Sequence, residues 1–131
     1  MSRLSFIAIG GAIGALLRYM ISGMTYRYLG GSFPWGTLSV NLIGAFAIGF
    51  LWGLSEITIV SSDFRSFVFI GIIGSFTTFS TYSLETFNLF RDAEIKLVLA
   101  NVLITNVLGI VLVLFGFIAS KYLTIFIGRR L

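Results

Sequence analysis

Between Gly74 and Ser83 the chain reads Gly-Ser-Phe-Thr-Thr-Phe-Ser-Thr-Tyr-Ser, six Ser/Thr hydroxyls and three aromatic rings in ten residues. Hydroxyls can donate and accept hydrogen bonds without carrying charge, and a ring offers a positive edge to an anion. The setting gives this run its meaning. Phe67 to Ile73 before it are almost wholly apolar, and Leu84 to Phe90 after it are mostly so. Polar groups at membrane depth face a bundle interior, a water-filled cavity or an ion path. The run therefore reads as the lining of a conduit. Further polar residues sit inside other apolar stretches: Asn41 between Val40 and Leu42, and Asn101, Thr105 and Asn106 within a long apolar tract. Asn101 and Thr105 are four apart and share a helix face. Any one such Asn on its own is equally explained by a bond to a neighbouring helix, at roughly 0.6–2 kcal/mol per contact; together with the hydroxyl run they outline a polar pathway. Glu85 follows Thr81 by one turn and extends the same stripe. Arg18, between Leu17 and Tyr19, either draws anions to a pore mouth or snorkels to the interface.

The elements that must position these residues are membrane spans. Hydrophobic residues make up 57% of the 131 and charged residues 11%, against about 25% charged in soluble domains; mean hydropathy is +1.03. The length allows one domain and no separate catalytic module. The chain has no cysteine and no histidine. That excludes disulfides, iron–sulfur clusters and thiolate metal sites, and removes the commonest general base. The expectation is a protein that is not an enzyme. A net charge of +4 could suggest nucleic acid, but the basic residues sit scattered at segment ends and form no basic face.

Four stretches approach the roughly 20 apolar residues needed to cross a hydrocarbon core of about 30 Å: residues 4–21, 35–54, 67–90 and 97–118, the last with a possible extension to Ile127. Leu4 to Leu17 also has the length of a signal-peptide apolar region, but an uncleaved first span is expected because no secreted domain follows. The only proline, Pro34, lies in the loop before the second span. Short loops make neighbouring helices antiparallel, and four spans return both termini to one side. That side carries Arg3, Arg65, Lys121, Arg129 and Arg130; the other carries Arg27, Arg91 and Lys96, with Arg18 close by. Five against four gives almost no orientation bias, so insertion in both directions and an antiparallel dimer are expected.

Packing and continuity can also be read. Gly10 and Gly14, and Gly49 and Gly53, are spaced to let helix backbones approach. In the third span, Gly71 and Gly74 weaken the helix and the Ser/Thr run competes with its hydrogen-bond ladder. Two outcomes stay open from the residues alone: a straight helix with hydroxyls bonded to the preceding turn, or a break that exposes carbonyls to a hard cation.

Residues Gly74 to Glu85 resemble the hallmark segment of the Fluc/CrcB fluoride channel family. Gly11-Ala12-Ile13-Gly14-Ala15-Leu16-Leu17-Arg18-Tyr19 and Gly36-Thr37-Leu38-Ser39-Val40-Asn41-Leu42-Ile43-Gly44 match further motifs of that family. The resemblance implies an all-α membrane protein of the bacterial inner (plasma) membrane. Its four helices, the third broken, would assemble as an antiparallel dual-topology homodimer that exports fluoride passively. It also implies two pores and a central structural Na⁺, held by the carbonyls of Gly74 and Thr77 from each subunit. Phe79 and Tyr82 fall on the pore-lining ring positions and Asn41 on the pore-facing asparagine. Ser80, Thr81, Ser83 and Glu85 fall on or near the polar track, with Thr37, Thr105 and Arg18 completing the fluoride pathway. Tyr82 stands where the family usually has Phe, Thr105 where it often has Ser, and Asn101 where some members have Tyr.

The chemistry suits a small, strongly hydrated anion. Desolvating it outright would cost tens of kcal/mol, so a conduit must replace water with many modest donors and avoid a full positive charge that would trap the ion. The alternative is a dual-topology, four-helix, proton-coupled exporter of small cationic compounds. That mechanism wants an intramembrane carboxylate, and the first span has none while Glu85 lies late in the third.

Overall fold

The structure is a computed structural model and describes residues 2–128. Among these residues all regular structure is helical. Four helical crossings are long and apolar enough to span a bilayer: Arg3–Leu29, Trp35–Ser55, Ser62–Arg91 and Ile95–Ile127. Each is longer than the apolar stretch that suggested it, because the helices run through the interfacial layers as well as the hydrocarbon. The fourth helix, Ile95–Gly128, has 34 residues, about 51 Å at 1.5 Å per residue.

Local chemistry sets the ends. Ser2 caps the first helix by accepting from the Ser5 N–H, and Gly30 stops it. Gly30 takes a positive φ of 56° while its N–H bonds the Tyr26 carbonyl, and Gly31 follows at φ 80°, conformations that glycine reaches without a Cβ penalty. Ser61 caps the third crossing through the Phe64 N–H. Arg129 and Arg130, counted in the charge balance, lie outside the described residues.

The helices are apolar nearly all round, as lipid-immersed helices are. In the first, the buried residues are Gly10 and Gly14. Gly10 lies against Phe67 and Gly71 of the third crossing, where a Cβ on Gly71 would sit 2.9 Å from the Gly10 Cα. Gly14 meets Ile72 and Ser75. The first helix and third crossing thus run side by side in the same direction. The second and fourth pair likewise, with Gly49 on the Val113 backbone and Gly53 on Ser120. The glycine spacing seen in the sequence is therefore a packing device.

The third crossing is not uniform. Ser66–Ile73 wind as a π-helix, a form associated with functional sites. A short α-helical piece, Gly74–Phe76, follows, then Thr77 (φ −80°, ψ 158°) and Thr78 (φ −149°, ψ 117°) are extended before Phe79–Arg91 resumes. The crossing as a whole continues from Ser62 to Arg91.

Candidate functional site

The two extended residues, Thr77 and Thr78, organise the polar groups around them. In an uninterrupted helix the Thr78 N–H would donate to the Gly74 carbonyl and the Thr81 N–H to the Thr77 carbonyl. Both donors are diverted. The Thr78 N–H donates to Asn41 Oδ1 at 2.8 Å, and the Thr81 N–H donates to Thr78 Oγ1 at 3.2 Å. Asn41 completes the clasp by donating from Nδ2 to the Thr78 carbonyl at 3.1 Å. Thr78 is thereby the N-cap of the following helix, the arrangement Ser/Thr residues favour. The carbonyls of Gly74 and Thr77 lose their helical donors. Gly44 makes the approach possible: a Cβ there would collide with Thr77 Cγ2.

A cleft of about 320 Å³ opens at this point, walled by Asn41, Thr77, Thr78, Phe79, Tyr82, Thr105 and Asn106. The Phe79 and Tyr82 rings stand 5.6 Å apart at 47°, as their three-residue spacing requires. Tyr82 is buried, at 8% exposure, whereas Phe79 is 77% exposed. Asn106 Nδ2 donates to the Tyr82 hydroxyl at 3.2 Å. The Tyr82 O–H proton is left without an acceptor among the described residues. Thr81 Oγ1 likewise accepts from Thr78 Oγ1 at 3.0 Å, which leaves its own proton uncommitted.

The other expected residues divide into three groups. Ser80 adjoins the cleft's rim, its Oγ 3.4 Å from Thr78 Oγ1. Ser83 donates back to the Phe79 carbonyl at 2.9 Å and Thr105 to Asn101 Oδ1 at 3.3 Å, so both hydroxyls are occupied. Glu85 and Thr37 form a second cluster one helical turn from the Asn41–Thr78 clasp. The Glu85 Oε1 accepts from Tyr26 Oη at 2.7 Å and from Thr37 Oγ1 at 2.9 Å, and Oε2 is buried without a partner among the described residues. Because Thr37 precedes Asn41 by four residues and Glu85 follows Thr81 by four, the two clusters continue one polar seam between the second helix and the third crossing. Arg18 is half-buried and enters neither cluster.

Sequence reasoning missed two participants. Thr78 is the centre of the site; a threonine just ahead of an amphipathic stretch was an N-cap signal. Tyr26 contacts Glu85 across 59 positions in the chain, and nothing local marks it. Asn101, 1% exposed, donates to Thr86 Oγ1 at 2.9 Å and pins the fourth helix to the third crossing. No cluster of three or more acidic, histidine or cysteine side chains suited to a metal occurs among the described residues, so a cation here would have to use carbonyl oxygens.

Residues 5–117 match the family described as CrcB-like protein, Camphor Resistance (CrcB). The chain is 51% identical over 116 residues to the "Fluoride-specific ion channel FluC" of Salinibacter ruber, covering 88% of this chain and 87% of that one. It is 46% identical over 121 residues to the protein of the same name from Parabacteroides distasonis (92% and 94% of the two chains). With the one from Aquifex aeolicus it shares 46% identity over 118 residues (89% and 95%). A match across most of the length, taking in the clasp, the rings and the Thr37–Glu85 pair, leaves one conclusion: this chain is a member of the CrcB family.

Proposed function

We propose that this chain is a passive, fluoride-selective ion channel of the bacterial inner membrane, a single channel domain that lets fluoride leave the cell down its electrochemical gradient. The observation that carries the reading is the cleft at Thr77–Thr78. The uncommitted O–H of Tyr82 and the rings of Phe79 and Tyr82 line it, the uncommitted O–H of Thr81 lies one residue away, and no cation stands among its walls to trap the ion. The names of the relatives point the same way. A fluoride ion would exchange water for these donors in steps, with Thr37 and Glu85 at one end of its track, and Arg18 acting on it through its field rather than by contact.

The active unit in this reading is an antiparallel homodimer of dual topology with two pores. Gly74, Ser80, Thr81 and Asn106 are exposed on the protomer at the depth of the cleft. Polar backbone and side chains at that depth need a protein surface over them, and a second copy supplies one. The carbonyls of Gly74 and Thr77, stripped of their helical donors by Asn41 and Thr78, suit a hard monovalent cation. Paired with the same two from an inverted copy, they would hold a structural Na⁺ at the interface, fixing the two crossings where their helical bonding lapses. The rival reading, a proton-coupled exporter of cations, gains nothing from the geometry: Glu85 lies near the end of its span with one oxygen already bonded to Tyr26 and Thr37.

The test is flux from liposomes carrying purified protein. Fluoride release from loaded liposomes down its own gradient, without a proton gradient and without matching chloride release, is the expected result. Equal chloride release, or strict dependence on a proton gradient, overturns it.

A further inference from the structure

Four hydroxyls stand on the cleft wall, those of Thr77, Thr78, Tyr82 and Thr105, and the bonds behind them fix which way each proton points. Thr77 donates to the Ile73 carbonyl at 3.1 Å and Thr78 to Thr81 Oγ1 at 3.0 Å. Thr105 is committed through a chain of bonds. Thr86 Oγ1 donates to the Tyr82 carbonyl at 2.7 Å, so it must accept from Asn101 Nδ2 at 2.9 Å. That turns the Asn101 oxygen to Thr105, whose hydroxyl donates to it at 3.3 Å. All three threonines therefore show lone pairs to the cleft and hold their protons elsewhere.

Tyr82 is set the other way. Its Oη faces Asn106 Nδ2 at 3.2 Å, and the same nitrogen donates to the Val102 carbonyl at 2.8 Å. A carbonyl can only accept, so the amino end of Asn106 faces both partners, and an amide nitrogen cannot accept from the phenol. Tyr82 Oη must be the acceptor. Its own proton has no acceptor among the described residues and is left to the cleft that the ring lines.

We infer that Asn106 is a positioning residue of the ion path: its amide commits the Tyr82 hydroxyl to offer a proton, not a lone pair, to the passing ion. The inference rests on the fluoride reading above. A hydroxyl can solvate an anion through its proton or a cation through its lone pairs, and a neighbour that can only donate removes the second choice. Asn106 acts through Tyr82 and need not touch the ion.

Efflux from liposomes, measured over a range of fluoride concentrations, separates the maximal rate from the half-saturating concentration. Asn106→Leu frees the phenol to rotate. It should raise the half-saturating concentration about three- to twentyfold, the range for one hydrogen bond between membrane helices, and leave the maximal rate unchanged because both rings stay. Asn106→Asp keeps a bond between the same two side chains but reverses it, since a carboxylate accepts the phenol's proton. A bond that merely holds the helices together would survive that reversal. The orienting role would not, so Asn106→Asp should raise the half-saturating concentration in the parent by more than it does in a Tyr82→Phe background, where the added charge acts alone. If Asn106→Leu fails to fold, the aspartate comparison carries the test. An equal rise in the two backgrounds, or a parental value for Asn106→Leu, overturns the inference and leaves the channel reading standing. A parent protein that releases no fluoride overturns that reading, and this inference with it.

Discussion

Asn41→Leu tests the central geometric argument, because one side chain holds both polar groups of one extended residue. The substitution removes the acceptor of the Thr78 N–H and the donor to the Thr78 carbonyl. Hydrogen bonds between membrane helices are worth about 0.6 kcal/mol on average and up to about 1.7, while a buried backbone group left unpaired costs roughly 1–3 kcal/mol. Losing two bonds therefore penalises the interrupted conformation by about 2 kcal/mol, near the lower end of that sum. The chain has a way out. Thr77 and Thr78 can rotate from ψ 158° and 117° toward the helical value near −42° and return the Thr78 N–H to Gly74. At 1.4 kcal/mol per factor of ten, 2 kcal/mol shifts the population toward that repaired helix about thirtyfold. Repair swings Phe79 and Tyr82 relative to Asn106 and closes the cleft. Initial fluoride efflux, read with a fluoride electrode on liposomes, should fall by up to about thirtyfold while the protein still elutes as folded. Asn41→Asp keeps the acceptor but loses the donor and adds a negative charge beside an anion path, so it should also fail to conduct. If Asn41→Leu folds normally and effluxes within about twofold of the parent, the clasp is not what maintains the cleft.

Tyr82→Phe should leave efflux largely intact, since the ring edge survives. Tyr82→Ile should reduce it strongly in the same assay, having neither edge nor donor; normal flux through the isoleucine variant would make this ring packing alone. For topology, Ile127→Cys supplies the only thiol in the chain and should be labelled by an impermeant reagent from both faces of the membrane, in different copies; labelling from one face rejects dual insertion. Thr37→Val should leave the Tyr26 bond to Glu85 and remove one of two donors, lowering thermal stability by about 1 kcal/mol as followed by detergent melting. Gly10→Val, which drives a side chain into Phe67 and Gly71, should abolish folded protein on size exclusion, whereas Gly23→Val, facing open space, should not.

The sequence announces what is periodic and local. Four spans follow from hydropathy, the glycine seams from four-residue spacing, and the Phe79–Tyr82 pair from three-residue spacing. The composition of Gly74–Ser83 picked out the stretch where the cleft lies. What stayed hidden depends on partners distant in the chain. Asn41 looks from sequence like a pore-facing amide. In the structure both its amide groups are engaged by Thr78, and only the tertiary fold decides between those roles. Thr105 and Ser83 look like available hydroxyls, yet each has an acceptor four residues away on its own helix. The end of the first span and the start of the third were short by several residues because hydropathy reports the hydrocarbon core, while the caps that bound a helix, such as Gly30 and Ser61, lie in the interface.

These features connect the local geometry to the assembly. Extending two residues in mid-membrane is tolerable only if every polar group it frees is covered. Asn41 and the Thr78 hydroxyl cover the N–H groups of Thr78 and Thr81, and the Asn41 amide covers the Thr78 carbonyl. The Gly74 and Thr77 carbonyls are among the groups that remain uncovered. An unsatisfied group in hydrocarbon costs several kcal/mol, comparable to a large share of a domain's net stability. Either a cation or a partner surface must therefore meet them, and a two-fold pairing of inverted copies brings four such oxygens together in one step. In the proposed assembly the dimer and the cation would not be separate additions to the pore. Both answer the same two carbonyls, so removing Na⁺ should loosen the dimer. Exchange of sodium for a large organic cation should shift the purified protein toward monomer on size exclusion, and sodium should reverse the shift. A dimer indifferent to the exchange would mean that protein contacts alone cover the interruption.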